Sequence, residues 1–268
     1  NLNKMPVEPG QPARYWLALS EQRVALNPLL GQRITLEYRG NIHCVACGRR
    51  TNRSYSQGHC YPCMRQLASC DLCIIKPELC HFHKGTCRDP AWGEANCMRP
   101  HIVYLANSSG LKVGITGKTQ APTRWLDQGA TQALPIFEVP TRRMAGLLEV
   151  QLAQHVADKT NWRKMLGGAA APLVMDQEAK ALLAQAGDLG HDLEPRQAEQ
   201  IKRLSGDGNR SFEFPVDTYP EKVKSMTFDK TPSVEGILEG IKGQYLILDS
   251  GVINIRRHSG YQVTLTHD

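Results

Sequence analysis

The residues best suited to chemistry in this 268-residue chain are its nine cysteines, all of which lie between Cys44 and Cys97. Cys44-Val-Ala-Cys47 and Cys60-Tyr-Pro-Cys63 are two CxxC pairs separated by twelve residues. Two such pairs supply four thiolates, the closed tetrahedral set of a structural zinc. Gly48 follows the first pair and Gly58 precedes the second, and both ease the turns that aim the sulfurs at one ion. A closed set keeps no position for substrate, so this site reads as scaffold. Cys70-Asp-Leu-Cys73 opens a second cluster. Cys70 and Cys73 are the expected ligands of a second zinc, and Cys80, His83, Cys87 and Cys97 compete for its other positions. Any cysteine left over is an inert buried thiol. His101 opens a predicted strand and reads as a strand-edge residue. An odd number of cysteines packed this densely fits a disulfide framework poorly and a metal-binding region in a reducing compartment well.

The rest of the chain must position these groups. Its length predicts two or three compact units. Hydrophobic residues make up 41% and charged residues 22%, enough for a core and too apolar for wholesale disorder. The longest apolar runs, GLLEVQLAQ and QYLILDSGVINI, fall short of the ~20 residues that span a bilayer. The sequence starts at NLNK, with no Met and no basic-then-apolar leader, so no membrane partner is expected and a cytoplasmic location is the default. The net charge is +6. Segment 41–100 carries eight basic side chains against four acidic ones, an excess of four. That excess suits a phosphate-rich partner, or simply a solvated surface.

Periodicity predicts an α+β chain. Residues 1–43 alternate as short strands able to pair with a C-terminal β module at 233–268. Residues 44–100 form the zinc-binding, ribbon-like region, too poor in periodic apolar residues to fold by burial alone. Residues 101–168 form a small antiparallel sheet with helices: HIVYLANSSGLKVGIT reads as a hairpin, PTRWLDQGA as a helix and ALPIFEV as a strand. Thr141 then N-caps a helix reaching about Asp158. Residues 169–206 read as helical, through MDQEAKALLAQAG and RQAEQIKRL. Residues 207–232 read as an exposed connection. The C-terminal strands resemble a small antiparallel barrel.

Within 101–168, Ile102-Val103-Tyr104-Leu105, then Lys112-Val113-Gly114-Ile115-Thr116, Arg124 and Glu149 resemble the core of the GIY-YIG nucleases, with VYL in the place of GIY and KVG in the place of YIG. More closely, CHFHKGTCRDPAWGEANC and the hairpin after it resemble a bacterial family of unknown function that pairs zinc knuckles with a GIY-YIG-like segment. The likeness covers roughly residues 13–168 and the C-terminal strands. The closer likeness brings no established activity; the GIY-YIG resemblance implies a hairpin carrying two motifs, an arginine on the first helix and a metal-holding glutamate on a later one. Tyr104, Arg124 and Glu149 are then the expected catalytic residues. A guanidinium forks onto phosphate oxygens, a carboxylate holds Mg²⁺ or Mn²⁺, and a phenol orients the attacking water. Lys112, Gly114, Thr116 and Trp125 are the expected contacts to phosphate or nucleic acid. Val113 stands where the family has its second tyrosine, which speaks against catalysis.

Two functions therefore fit. One is a zinc-stabilised, divalent-metal-dependent endonuclease acting on DNA or RNA. The other is a non-catalytic zinc protein that binds nucleic acid on a degenerate GIY-YIG scaffold. Tryptophans 125 and 162 and tyrosines 55 and 61 flank basic residues, which suits either stacking on bases or anchoring in a core.

Overall fold

Among the described residues, alternating apolar strands build three sheets, antiparallel except where one short strand, Ser225–Met226, runs parallel to Gly251–Asn254. The computed structural model describes residues 2–5, 10–156, 161–204 and 208–268. A meander comes first: β1 (Leu2–Met5), β2 (Arg14–Leu19) and β3 (Gln22–Ala25). The long β4 (Arg33–His43) follows, with β5 (Arg50–Thr51) folded back on its end. Two short helices, α1 (Tyr61–Gln66) and α2 (Pro90–Cys97), are linked by single 3₁₀ turns. The central unit runs β6 (His101–Asn107), β7 (Leu111–Gly117), α3 (Ala121–Asp127), β8 (Gln132–Val139) and α4 (Arg142–Leu152). Helices α5 (Trp162–Leu166), α6 (Met175–Ala186) and α7 (Pro195–Ala198) lead to the short strands β9 (Lys202–Arg203), β10 (Arg210–Ser211) and β11 (Ser225–Met226). The chain closes with β12 (Ser233–Lys242), β13 (Tyr245–Leu248), β14 (Gly251–Asn254) and β15 (Tyr261–His267).

The central sheet has the order β10-β8-β6-β7, with β9 also on β8. Strand alternation sends Val103, Leu105 and Val113 to one face, where they pack with Met144, Leu148 and Leu152 of α4. Ile102, Tyr104 and Ala106 point to the other face, against Trp125 of α3. Thr141 does cap α4, its hydroxyl accepting the Met144 amide at 3.3 Å. The helix ends at Leu152, short of the expected end; Asp158 lies outside the described residues. Gln151 is tied to the Gly190 amide at 2.8 Å, so a tertiary contact fixes the last turn.

The large C-terminal sheet has the order β11-β14-β13-β12-β4-β15, with β4 between β12 and β15. The C-terminal strands thus join β4 and the short β11 in one sheet larger than the small module expected. Leu36, Leu238, Leu246 and Ile253 share one core with Tyr15, Leu17 and Leu26, so the meander packs on this sheet. Two further expectations differ. RQAEQIKRL forms only the short α7, because Lys202 and Arg203 pair with Glu138 and Phe137 on β8. The stretch read as an exposed connection is pinned by Phe212 against Trp125, with ring centroids 6.0 Å apart, and by Phe228 in the C-terminal core. Among the described residues, no helix is long and apolar enough to cross a membrane.

One buried charge stands out in this sheet. Lys242 is 0% exposed. Its ammonium donates to the Gly168 carbonyl at 3.0 Å and the Tyr219 hydroxyl at 3.4 Å, and lies 5.0 Å from the Tyr219 ring centroid. Burial pulls it down to about 8, from an ordinary 10.5. Between those values the unfolded chain binds the extra proton, so this group adds stability as pH rises. A Lys242→Met substitution removes that dependence. Urea melts at pH 7 and 10 are expected to show its advantage over the wild type shrinking by about 3 kcal/mol at most across the window.

Candidate metal centre and candidate active site

β4 delivers Cys44, the turn after it delivers Cys47, and the first turn of α1 delivers Cys60 and Cys63. Their sulfurs lie within 4.8 Å of one another, and Cys47 and Cys60 are 3.8 Å apart. A tetrahedron with metal–sulfur bonds of about 2.3 Å has edges of about 3.8 Å, so the four fit one zinc. Gly48 and Gly58 have φ of +71° and +114°, the left-handed turns that the knuckles need. The site is tied to the sheets by the Val45 amide on the Gly58 carbonyl (2.9 Å) and the His43 amide on the Gly260 carbonyl (2.7 Å). Burial opposes ionisation of Cys44, but the amides of Cys60, Cys47 and Ala46 outweigh it and bring the thiol down to about 6. Hydrogen bonding with Cys60 and Cys47 pushes Cys63 up to about 12. Four thiols this close cannot ionise together without a cation between them, and a zinc ion at this site would supply it.

The other cysteines divide differently from the expected grouping. Cys73, Cys80, Cys87 and Cys97 line one small cavity with Asp71 and His81, and neither Cys70 nor His83 lines it. The 3₁₀ turn at Leu72–Ile74 separates Cys73 from Cys70, and His83 is exposed. His101 begins β6 as a buried residue. Its Nδ1 lies 2.7 Å from the Arg99 carbonyl, and burial pulls it down to about 4.

A second constellation sits where β7 meets α3 and α4. Tyr104 of β6 pairs with Gly114 of β7, and a Cβ on Gly114 would lie 2.8 Å from the tyrosine hydroxyl. Only glycine lets that ring lie across the strand. A bulge in the β6–β8 pairing at Val103 and Tyr104 helps to aim it. The hydroxyl accepts from Gln128 Nε2 at 2.7 Å, and Tyr104 is 0% exposed. Burial raises its pKa, while Arg124 and Gln128 oppose the rise. Burial pulls Lys112 down to about 8, with Arg124 adding to the fall and Glu149 opposing it. Burial pushes Glu149 up to about 7 against the pull of Arg124 and Arg142, and Glu78 adds to the rise. Tyr104, Lys112, Arg124 and Glu149 thus share one electrostatic neighbourhood.

Val113 turns into the opposite, apolar face. The strand's contributions on the site face are Lys112, Gly114 and Thr116, a period-two pattern visible in the sequence. Thr116 is buried, with its hydroxyl donating to the Gly117 carbonyl at 3.4 Å. Trp125 is buried edge-on to Tyr104 at 5.8 Å. Both are core residues here, correcting their reading as nucleic-acid contacts. Trp162 stacks on Tyr245 at 5.8 Å with Arg163 over its ring. Tyr61 is 52% exposed and meets Tyr55 edge-on beside Arg53. Arg142 reaches the site from two turns earlier on the helix that carries Glu149, and Glu78 from the distant cysteine-rich segment, where no local sequence signal marks it.

A family model described as a protein of unknown function (DUF2797) matches residues 31–263, which include both cysteine clusters and the whole central sheet. No curated protein and no solved structure matches the chain. The four-cysteine geometry makes a direct prediction. Cys60→Ala removes one zinc equivalent per chain by metal analysis and lowers Tm by roughly 10 °C or more.

Proposed function

The chain belongs to the DUF2797 family of proteins of unknown function, and we propose from its own residues that it is a cytoplasmic nucleic-acid-processing protein with a phosphodiester-cleaving centre at the β7 edge. The observation that carries this reading is the meeting of Arg124, Lys112 and Glu149 around a hairpin whose Gly114 is stripped of a side chain to seat Tyr104. Cleaving a phosphodiester needs cationic donors for the phosphate oxygens and a carboxylate for a hard cation. These residues are of those types. The resemblance of the hairpin, Arg124 and Glu149 to the GIY-YIG nucleases supports the same reading.

Each residue takes a role that follows from its exposure. Arg124 is exposed and forks onto phosphate. Lys112 adds a second positive charge on the same face. Glu149 is the residue to hold Mg²⁺ or Mn²⁺, an ion that polarises phosphate and acidifies its own water. Tyr104, fully buried, touches no substrate and is a positioning residue for Arg124 and Gln128. Outside the centre, Arg53, Tyr55 and the exposed Tyr61 offer the zinc region a surface on which an unpaired base could stack.

A second reading is a binding protein without catalysis. It is favoured by the burial of Tyr104 and by the three cations, Arg124, Arg142 and Lys112, that already face Glu149. Incubation with single- and double-stranded DNA and RNA, with Mg²⁺ or Mn²⁺, separates the two. Arg124→Ala is expected to cut cleavage by roughly 10²–10³-fold while binding survives. Binding by the wild type with no cleavage of any of these substrates leaves the second reading in place.

The pH profile is a further prediction. Cleavage falls below about pH 7 as Glu149 takes up its proton, and falls above about pH 8 as Lys112 loses its own. Lys112→Met removes the alkaline limb, and Glu149→Gln abolishes turnover.

A further inference from the structure

The segment between α1 and β6 has almost nothing to fold around. Its backbone is a run of single 3₁₀ turns ending in α2, and Leu72, Ile75 and Leu79 point outward at 56%, 78% and 49% exposure. Among the described residues, none between 44 and 100 joins a hydrophobic core cluster. What this segment gathers inward is sulfur. Cys73, Cys80, Cys87 and Cys97 line a cavity of about 10 Å³, room for one small sphere and too little for an iron–sulfur cluster.

We propose that this cavity is a second zinc site, with Cys73, Cys80, Cys87 and Cys97 as its ligands and Cys70 left outside as a free thiol. This goes beyond the functional reading above and does not depend on it. Four thiolates are a soft, closed set, the donor chemistry of a structural zinc. Gly93 and Cys97 lie one turn apart on the same face of α2. A Cβ on Gly93 would stand 2.9 Å from the Phe82 ring and 3.1 Å from the Cys87 sulfur, so the helix is stripped where the ring and that sulfur approach.

The nearby alternatives are already engaged. Ligand atoms of Asp71, Cys73 and His81 lie within 4.8 Å of one another, whereas no three of the four sulfurs do, so the sulfur set closes on an ion only after side-chain rotation. Asp71, however, holds Arg88 at 2.6 Å, and its other carboxylate oxygen caps the Cys73 amide at 3.4 Å. His81 Nδ1 is 2.8 Å from the Thr86 hydroxyl, and its Nε2 faces the Asp71 carboxylate at 3.6 Å. The Cys87 thiol now donates to the Asp89 carbonyl at 3.3 Å, and rotation about its Cα–Cβ bond redirects it to the cavity.

The surroundings supply the compensating charge. Four thiolates and one dication carry a net double negative charge. Arg142 and Arg99 lie in electrostatic reach of Cys97, and the Nε atom of each is buried with no acceptor among the described residues.

The site also has mechanical consequences. The chain between Cys73 and Cys80 is docked on α4: Arg142 donates to the Ile74 carbonyl at 2.7 Å, and a Cβ on Gly146 would meet the Glu78 amide at 2.6 Å. Zinc at Cys73 and Cys80 clamps that stretch against the helix carrying Glu149.

The test uses the full wild-type chain, with zinc counted by elemental analysis and thiols mapped by iodoacetamide labelling and mass spectrometry. Two zinc ions per chain are expected. Cys70 should react about tenfold or more faster than Cys73 and Cys87, and a strong chelator should abolish that difference. Cys70→Ser should keep both ions, and Cys80→Ser should keep one. Should Cys80→Ser fail to fold, the wild-type labelling pattern still decides. One zinc per wild-type chain, or labelling of Cys73 or Cys87 at the rate of Cys70, would overturn the assignment.

Discussion

Sulfur takes the place of a hydrophobic core across the stretch from Cys44 to Pro100, and the rest of the architecture depends on that substitution. The core clusters of the described residues draw on the strands and helices either side of this stretch and take nothing from it. A chain segment that buries so little apolar surface cannot offset its conformational entropy by burial. Thiolates converging on an ion can, because metal binding and folding are then one event. The four sulfurs at the end of β4 have the spacing that such an event requires.

This cysteine-rich stretch is fastened to the C-terminal sheet and to α4. Its first knuckle grows directly out of β4 and is fastened to the turn before β15 by the His43 and Gly260 pairing. Its later turns lie against α4, where Gly146 lets the Pro77–Leu79 turn reach the helix backbone. Shifting the cysteine-rich segment therefore moves the helix that presents Glu149. The cysteine-rich segment and the charges around β7 are mechanically coupled, although none of the β7-edge residues is a cysteine.

Around β7 the controlling effect is desolvation. It raises Glu149, lowers Lys112 and holds Tyr104 as a neutral phenol, and the neighbouring arginines only modulate this. Groups pushed toward neutrality from opposite directions are a common mark of sites that move protons or hold ions. Lys242 shows that burial alone can produce such a shift in a purely structural setting. What distinguishes the β7 edge is that cations and a carboxylate share it with an exposed arginine.

Much of this was legible in the sequence because it depends on local spacing. Two CxxC pairs twelve residues apart specify a four-sulfur set wherever they fold. The hairpin at His101–Gly117, the helix start at Thr141 and the α+β composition follow from period and capping. Other features required the tertiary structure, since they depend on which distant segments meet. Cys70 and Cys73 look equivalent as a CxxC pair, and only the folded chain shows that Cys73 lines the cavity with Cys80, Cys87 and Cys97 while Cys70 does not. Trp125 and Thr116 looked available until the sheet and α3 closed over them. Local bonding patterns can be read from residue order; burial and charge proximity cannot, because they are set by chain segments that meet only when the whole protein folds.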